Sequence, residues 1–191
     1  MSTVVARRLV AFLLLVIAPC AGAADDVWKL LESGGRVVLI RHTITTPGVG
    51  DPPGMRLDDC ATQRNLTDEG RRHAQAIGEA FRSRRIAIDR VLSSPWCRCL
   101  ETARLAFGRA ADVSQPLSNL FGRPEQSQEQ VKAMRAIVAA HRAKANLVLV
   151  SHGSTIVALT GVSPDTGEMV VVTPQPDGKF TVEGRLAVAS R

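Results

Sequence analysis

The chain has 191 residues, a length that suits one domain of ordinary size. Apolar residues make up 45% and charged residues 22%, which excludes wholesale disorder. The net charge is +6 and 20 of the 24 basic residues are arginine, but aromatic residues are only 4% and tyrosine is absent. Without aromatic stacking platforms, nucleic acid is excluded as an expected partner.

The chain opens with Arg7 and Arg8, the apolar stretch Leu9 to Ala18 and the small triplet Ala21-Gly22-Ala23. A positive start, a short apolar run and small residues form the layout of a secretory signal peptide, too short for a membrane span. Cleavage is expected near Ala23 or Ala24, giving a signal peptide over 1–24 and a folded domain over 25–191. The competing reading is a lipid anchor on Cys20, but Pro19 is a poor neighbour for a lipidated cysteine. Loss of Arg7 and Arg8 lowers the charge from +6 to +4. No second long apolar run follows, so no stable membrane insertion is expected after cleavage. The mature protein is expected in the periplasm or secreted, and its oligomeric state is not legible.

Val37 to Ile40 reads as a first strand. Thr43 to Asn65 is rich in glycine and proline and reads as a long loop at that strand's end, a length usually functional or mobile. Thr67-Asp68-Glu69 opens a helix with a capping residue and first-turn acids, and Ala74, Ile77, Ala80 and Phe81 recur at helical spacing. Ile88 to Leu92 is a second strand. Ser94-Pro95 then starts a helix, serine as cap and proline at its first position, running to Phe107 and stopping at Gly108. Val113 to Leu117 reads as a short strand, and Glu125 to Ala143 as a long helix with Val131, Met134, Ile137 and Val138 on one face. Leu147 to Val150 is the most apolar strand. Thr155 to Leu159 starts a helix that ends at Gly161. Glu168 to Thr173 and Phe180 to Ala187 read as closing strands around a turn at Asp177. Strands alternating with helices predict an α/β fold, a three-layer sandwich with a mainly parallel sheet.

The expected mature chain keeps Cys60, Cys97 and Cys99, and an exported protein can hold a disulfide. Cys97 and Cys99 are two apart on one helix and point different ways. Cys60 with Cys97 or with Cys99 is the expected pairing; three unpaired small hydrophobes is the competing reading. The spacing of the two helix cysteines is wrong for zinc. His73 and His141 read as solvated helix residues.

Two histidines follow buried-strand patterns: His42 after Arg41, and His152 between Ser151 and Gly153. Ligands of α/β sheets bind beyond the carboxyl ends of strands, so these two can meet although 110 positions separate them. The helix after Ser94 offers free N–H groups to an anion, and Arg98 adds a guanidinium that can grip two phosphate oxygens. Nearby arginines disfavour a charged imidazole, which keeps His42 neutral and able to attack phosphorus, giving a phosphohistidine that water hydrolyses.

Arg41-His42-Thr43, the Ser93-Ser94-Pro95…Arg98…Glu101-Thr102-Ala103 run and Ser151-His152-Gly153 resemble the signature of the histidine phosphatase superfamily, the phosphoglycerate mutase-like family, over about Arg36 to Leu159. The segment Gln63 to Gly70 resembles that family's link between first loop and first helix. The resemblance implies a phosphoglycerate mutase-like fold, with His42 as nucleophile and His152 as the second catalytic histidine. It also implies Arg41, Arg98 and His152 as phosphate ligands, a small phosphorylated substrate and no metal or other cofactor. The expected activity is therefore metal-independent hydrolysis of a phosphomonoester. The alternatives are a phosphomutase and a non-catalytic envelope protein that binds phosphorylated ligands. Two departures stand out. Thr43 occupies the family's usual glycine position, and no carboxylate stands clearly as general acid. Glu125 is in a loosely matching context, and Asp58, Asp59 and Glu168 are its rivals.

Overall fold

A computed structural model describes residues 21–108 and 111–190. Six strands form one sheet: β1 (Val37–Arg41), β2 (Ile88–Ser93), β3 (Asp112–Val113), β4 (Asn146–Ser151), β5 (Met169–Pro174) and β6 (Phe180–Leu186), in the order β3-β2-β4-β1-β5-β6. β3, β2, β4 and β1 run parallel, while β5 and β6 add an antiparallel hairpin at one edge. The described helices are α1 (Ala21–Ser33), α2 (Asp68–Ser83), α3 (Cys97–Phe107), α4 (Ser127–Ala140) and α5 (Gly153–Thr160).

Alternation along β1 sorts the core into two layers. Val38 and Ile40 face a cluster with Val27, Trp28 and Leu31 of α1, Ile77 and Phe81 of α2, and Cys99, Ala103 and Ala106 of α3. Val37 and Leu39 face Met134 and Val138 of α4 and Ile156 and Leu159 of α5. All four β1 residues are fully buried. The result is the expected three-layer α/β sandwich.

Most elements stand where the pattern places them. Thr67 caps α2, its hydroxyl accepting the Gly70 N–H at 3.0 Å. Gly161 ends α5 in the left-handed conformation that glycine adopts without a Cβ penalty. Several details differ. The strand expected over Val113 to Leu117 is β3 followed by a 3-10 turn, Gln115–Leu117. The long helix begins only at Ser127, after a 3-10 turn at Pro124–Gln126. Trp96, not Ser94, stands before α3.

Residues 1–20 lie outside the described residues, and with them most of the expected signal peptide. The helix α1 has no counterpart in the sequence reading; it packs Val27, Trp28 and Leu31 beneath the sheet, and the expected cleavage position falls in its first turn. Among the described residues no helix is long and apolar enough to cross a membrane.

Candidate active site

β2, β4 and β1 are neighbours in the sheet, and their carboxyl ends stand level. Arg41 pairs with Ser151, and Ser93 with Val150. The chain stays in register one step further: the His42 N–H donates to the Ser151 carbonyl and the Ser94 N–H to the Val150 carbonyl, both at 2.9 Å. His42, His152 and Ser94 therefore emerge side by side. The two imidazole rings meet edge to face, with centroids 5.4 Å apart.

Each ring is held by its neighbours. The His42 Nδ1 lies 2.9 Å from the Thr43 carbonyl. A carbonyl only accepts, so Nδ1 carries the hydrogen and Nε2 keeps its lone pair. Burial pushes the His42 pKa down to about 3, with the charges of Arg98, Arg41 and Arg64 adding to the fall. The ring is neutral at any ordinary pH. His152 sits 3.4 Å from Arg98 Nη2 through Nδ1 and 2.8 Å from Ser94 Oγ through Nε2. A guanidinium only donates, so Nδ1 accepts and the Nε2 hydrogen goes to Ser94. Burial, then His42 and the arginines, hold this ring well below its ordinary value as well. Both nitrogens of His152 thus have protein partners, whereas His42 Nε2 is left for a ligand. Ser94, expected as a helix cap, serves His152 instead.

Arg41, Arg64 and Arg98 join the two histidines in a cavity of about 440 Å³. Arg41 donates to the Pro164 carbonyl at 2.9 Å, and its side chain lies over Gly153, where a Cβ would stand 3.3 Å from Nε. Arg64 donates to the Gly48 carbonyl at 2.9 Å. Among the described residues neither arginine has a carboxylate in ion-pair range. The buried Nε atoms of Arg41, Arg64 and Arg98 lack hydrogen-bond partners, an arrangement that favours an oxyanion.

Arg98 departs from expectation. Its fork is occupied by Asp51, with Nη1 to Oδ1 at 2.6 Å and Nη2 to Oδ2 at 3.2 Å. The same carboxylate accepts from Trp96 Nε1 and from the Arg64 N–H. Burial alone would raise the Asp51 pKa, but its hydrogen bonds to Arg98 and the charge behind them hold it below the usual range. Asp51 and Arg64 were missed by sequence reasoning. Asp51 lies 47 positions from Arg98, with no local spacing to announce the pair; Arg64 was noted only within a segment. Trp96 is buried edge-on to His152.

The long loop is pinned to the start of α3. Cys60 and Cys97 form a disulfide, Gln63 Oε1 accepts the Cys97 N–H at 2.9 Å, and Asp51 holds Arg98 and Trp96. Cys99 is the free, buried thiol, its pKa pushed up to about 12 by burial. Thr43 is also buried. Its hydroxyl and N–H lie 3.3 Å from Thr102 Oγ1, so its side chain braces the loop against α3 instead of lining the cavity.

None of the four expected carboxyl acids lines the cavity. Asp58 pairs with Arg56 at the surface, and Asp59 caps a 3-10 turn by accepting the Ala61 N–H. Glu125 is exposed in the turn before α4. Glu168 is bound by Arg185 and the Asp165 N–H, which hold it ionised although burial opposes this. His73 also corrects its reading: it is buried and pairs with the Val188 carbonyl at 2.8 Å. His141 closes α4, half-buried against the Ala145 carbonyl.

Residues 37–120 match the family model of the histidine phosphatase superfamily (branch 1). No curated protein matches the sequence. Solved structures share the fold. Phosphoserine phosphatase from Entamoeba histolytica, in complex with 3-phosphoglyceric acid, aligns with TM-score 0.61 at 14% identity over 80% of this chain and 97% of its own. The protein histidine phosphatase SixA complexed with tungstate gives TM-score 0.60, 18% identity and 80% and 96% coverage. A mycobacterial glucosyl-3-phosphoglycerate phosphatase gives TM-score 0.58, 18% identity and 77% and 96% coverage.

Proposed function

We propose that the chain is a member of the histidine phosphatase superfamily, whose family model matches residues 37–120, and that it hydrolyses a phosphomonoester through a phosphohistidine on His42. The observation that carries the proposal is the neutral His42 ring, its Nε2 unengaged by protein, in a cavity shared with three guanidinium groups. The Nε2 lone pair attacks phosphorus and the bond to the leaving oxygen breaks. Water then attacks phosphorus, the P–N bond breaks, its electron pair returns to the ring, and inorganic phosphate leaves. Arg41, Arg64 and the Nε edge of Arg98 balance charge on the transferring group. His152 positions Arg98 from one side and Asp51 holds it from the other. No step calls for a metal.

Export is part of the same reading. A Cys60–Cys97 disulfide favours an oxidising compartment, in keeping with the leader-like residues 7–24. The experiment is hydrolysis of p-nitrophenyl phosphate in excess EDTA. Release of p-nitrophenol by the wild type and its loss in His42→Ala are expected. Turnover that EDTA abolishes, or that His42→Ala retains, would count against the proposal.

A further inference from the structure

The cavity around His42 has two unlike zones. Its floor carries the cationic groups. Its rim carries Val49 (87% exposed), Phe121 (57%) and Val157 (38%). These are three of the five large hydrophobic residues exposed among the described residues, and all three stand around one opening. Isolated exposed apolar residues need no explanation, but a group around a polar pocket marks a binding surface.

Two of the polar rim groups engage each other. Ser154 Oγ donates to Asn119 Oδ1 at 2.9 Å, and that oxygen also accepts the Phe121 N–H. A polyhydroxylated leaving group therefore meets the Ser154–Asn119 pair with its donor and acceptor already matched to each other. The rim segment is also held in place: Thr155 Oγ1 donates to the Ser118 carbonyl and accepts the Leu120 N–H, and Ser151 Oγ donates to the Leu117 carbonyl. Phe121 is thus carried on a braced segment. Val49 lies on the loop between two glycines, Gly48 and Gly50, that line the same cavity, and a Cβ on Gly50 would stand 3.8 Å from the Phe121 ring.

Among the described residues no aspartate or glutamate lines the cavity. Asp51, which contacts Arg98 and Arg64 of the lining, is held ionised and accepts four hydrogen bonds from Arg98, Trp96 and Arg64, so it has no proton to give. An alkoxide leaves slowly without a proton donor, whereas a weakly basic oxygen leaves unaided.

We propose that the substrate is a small phosphomonoester whose leaving group is an apolar aromatic ring bearing a weakly basic oxygen, seated between Val49 and Phe121. This inference rests on the phosphatase reading above. The ring stacks at the rim while the phosphoryl group reaches the arginines. When His42 attacks, the P–O bond breaks, both electrons stay on the ring oxygen, and the aryloxide departs to be protonated by solvent. Hydrolysis of the phosphohistidine completes the cycle.

The test compares kcat/KM for para-substituted phenyl phosphates, glycerol phosphate and acetyl phosphate. Acetyl phosphate has a weakly basic leaving group and no ring, so it separates leaving-group chemistry from ring binding. The phenyl series is expected to slow about threefold or more per unit of leaving-group pKa. Phenyl phosphate is expected to exceed glycerol phosphate by about a hundredfold or more. In Phe121→Ala and Val49→Ser, both at exposed positions that tolerate substitution, the ratio of phenyl to acetyl phosphate is expected to fall about tenfold. A flat leaving-group series, glycerol phosphate equal to phenyl phosphate, or an unchanged ratio in both variants would overturn the proposal while leaving the phosphatase reading intact. Wild-type turnover of none of these compounds would overturn both.

Discussion

The floor of the cavity and its mouth are made from different kinds of chain. The floor stands on the level ends of β1, β4 and β2, where backbone pairing places His42, His152 and Ser94 side by side. The mouth is mostly loop, residues 43–65 and 118–121, with Val157 of α5 beside it; only isolated bridges, Thr45 with Leu66 and Arg56 with Asp59, extend backbone pairing into it. It is held mainly by long-range pins: the disulfide, the Asp51–Arg98 pair and the contacts of Thr155. The floor thus owes its geometry to the sheet, and the mouth to side chains. The chemistry belongs to the first and the choice of substrate to the second.

That division can be broken most directly at the floor. Replacing His42 with asparagine keeps a polar group of similar size but removes the nucleophile. Turnover is expected to fall about a thousandfold or more with the urea midpoint little lowered. A mild loss of rate would mean that the attacking atom lies elsewhere.

Arg98 joins floor to mouth, and its fork is committed to a carboxylate buried with it; the two side chains are 1% and 9% exposed. Arg98→Met strands Asp51 and should cost about 3–5 kcal/mol. Asp51→Asn combined with Arg98→Met should recover much of that loss, because no unpaired charge remains. A double-variant cycle in urea checks the coupling, and simple additivity would contradict it.

The disulfide tests the mouth alone. It spans 37 positions, for which chain entropy gives about 4 kcal/mol. Cys60→Ser with Cys97→Ser is expected to lower the urea midpoint accordingly and to raise KM several-fold, while far-UV circular dichroism keeps the sheet signal. An unchanged KM would show that the loop holds its place without the bridge.

The last effect concerns pH. Both histidines have folded-state pKa values below the ordinary 6.5, His42 near 3 and His152 well below. The unfolded chain therefore takes up protons below about pH 6.5 that the folded chain refuses. Their contribution to stability is full above that pH and is lost as pH falls toward about 3. Each histidine adds a slope of at most about 1.4 kcal/mol per pH unit. Urea midpoints at about pH 7 and about pH 5 should differ, and less so in His42→Asn. Equal midpoints in the wild type would show that neither ring is held neutral by the fold.

The same division explains what the sequence made legible. The apolar runs before His42 and His152 locate both strand ends, and Thr67 with its acids locates the start of α2, because these signals are local. Ser94 looked like a cap because serine before proline usually is one; the nearness of His152, 58 positions away, redirected its hydroxyl. Asp51 sits in a glycine- and proline-rich loop, and nothing around it announces Arg98 or Trp96. His73 lies among polar neighbours in the chain, yet the Val188 carbonyl reaches it from the far terminus. The helix α1 went unseen because its start overlaps residues that read as a leader. For Ser94, Asp51 and His73 the deciding contact is remote in sequence.

The central claim is that phosphorus passes through His42. Rapid acid-free quenching of a turnover reaction with phosphorus-labelled phenyl phosphate, followed by peptide mapping, addresses it directly. The expected result is an acid-labile, base-stable phosphoryl group on the peptide that carries His42, absent from His42→Asn. Steady turnover with no such adduct, or with the label on another residue, would contradict the account.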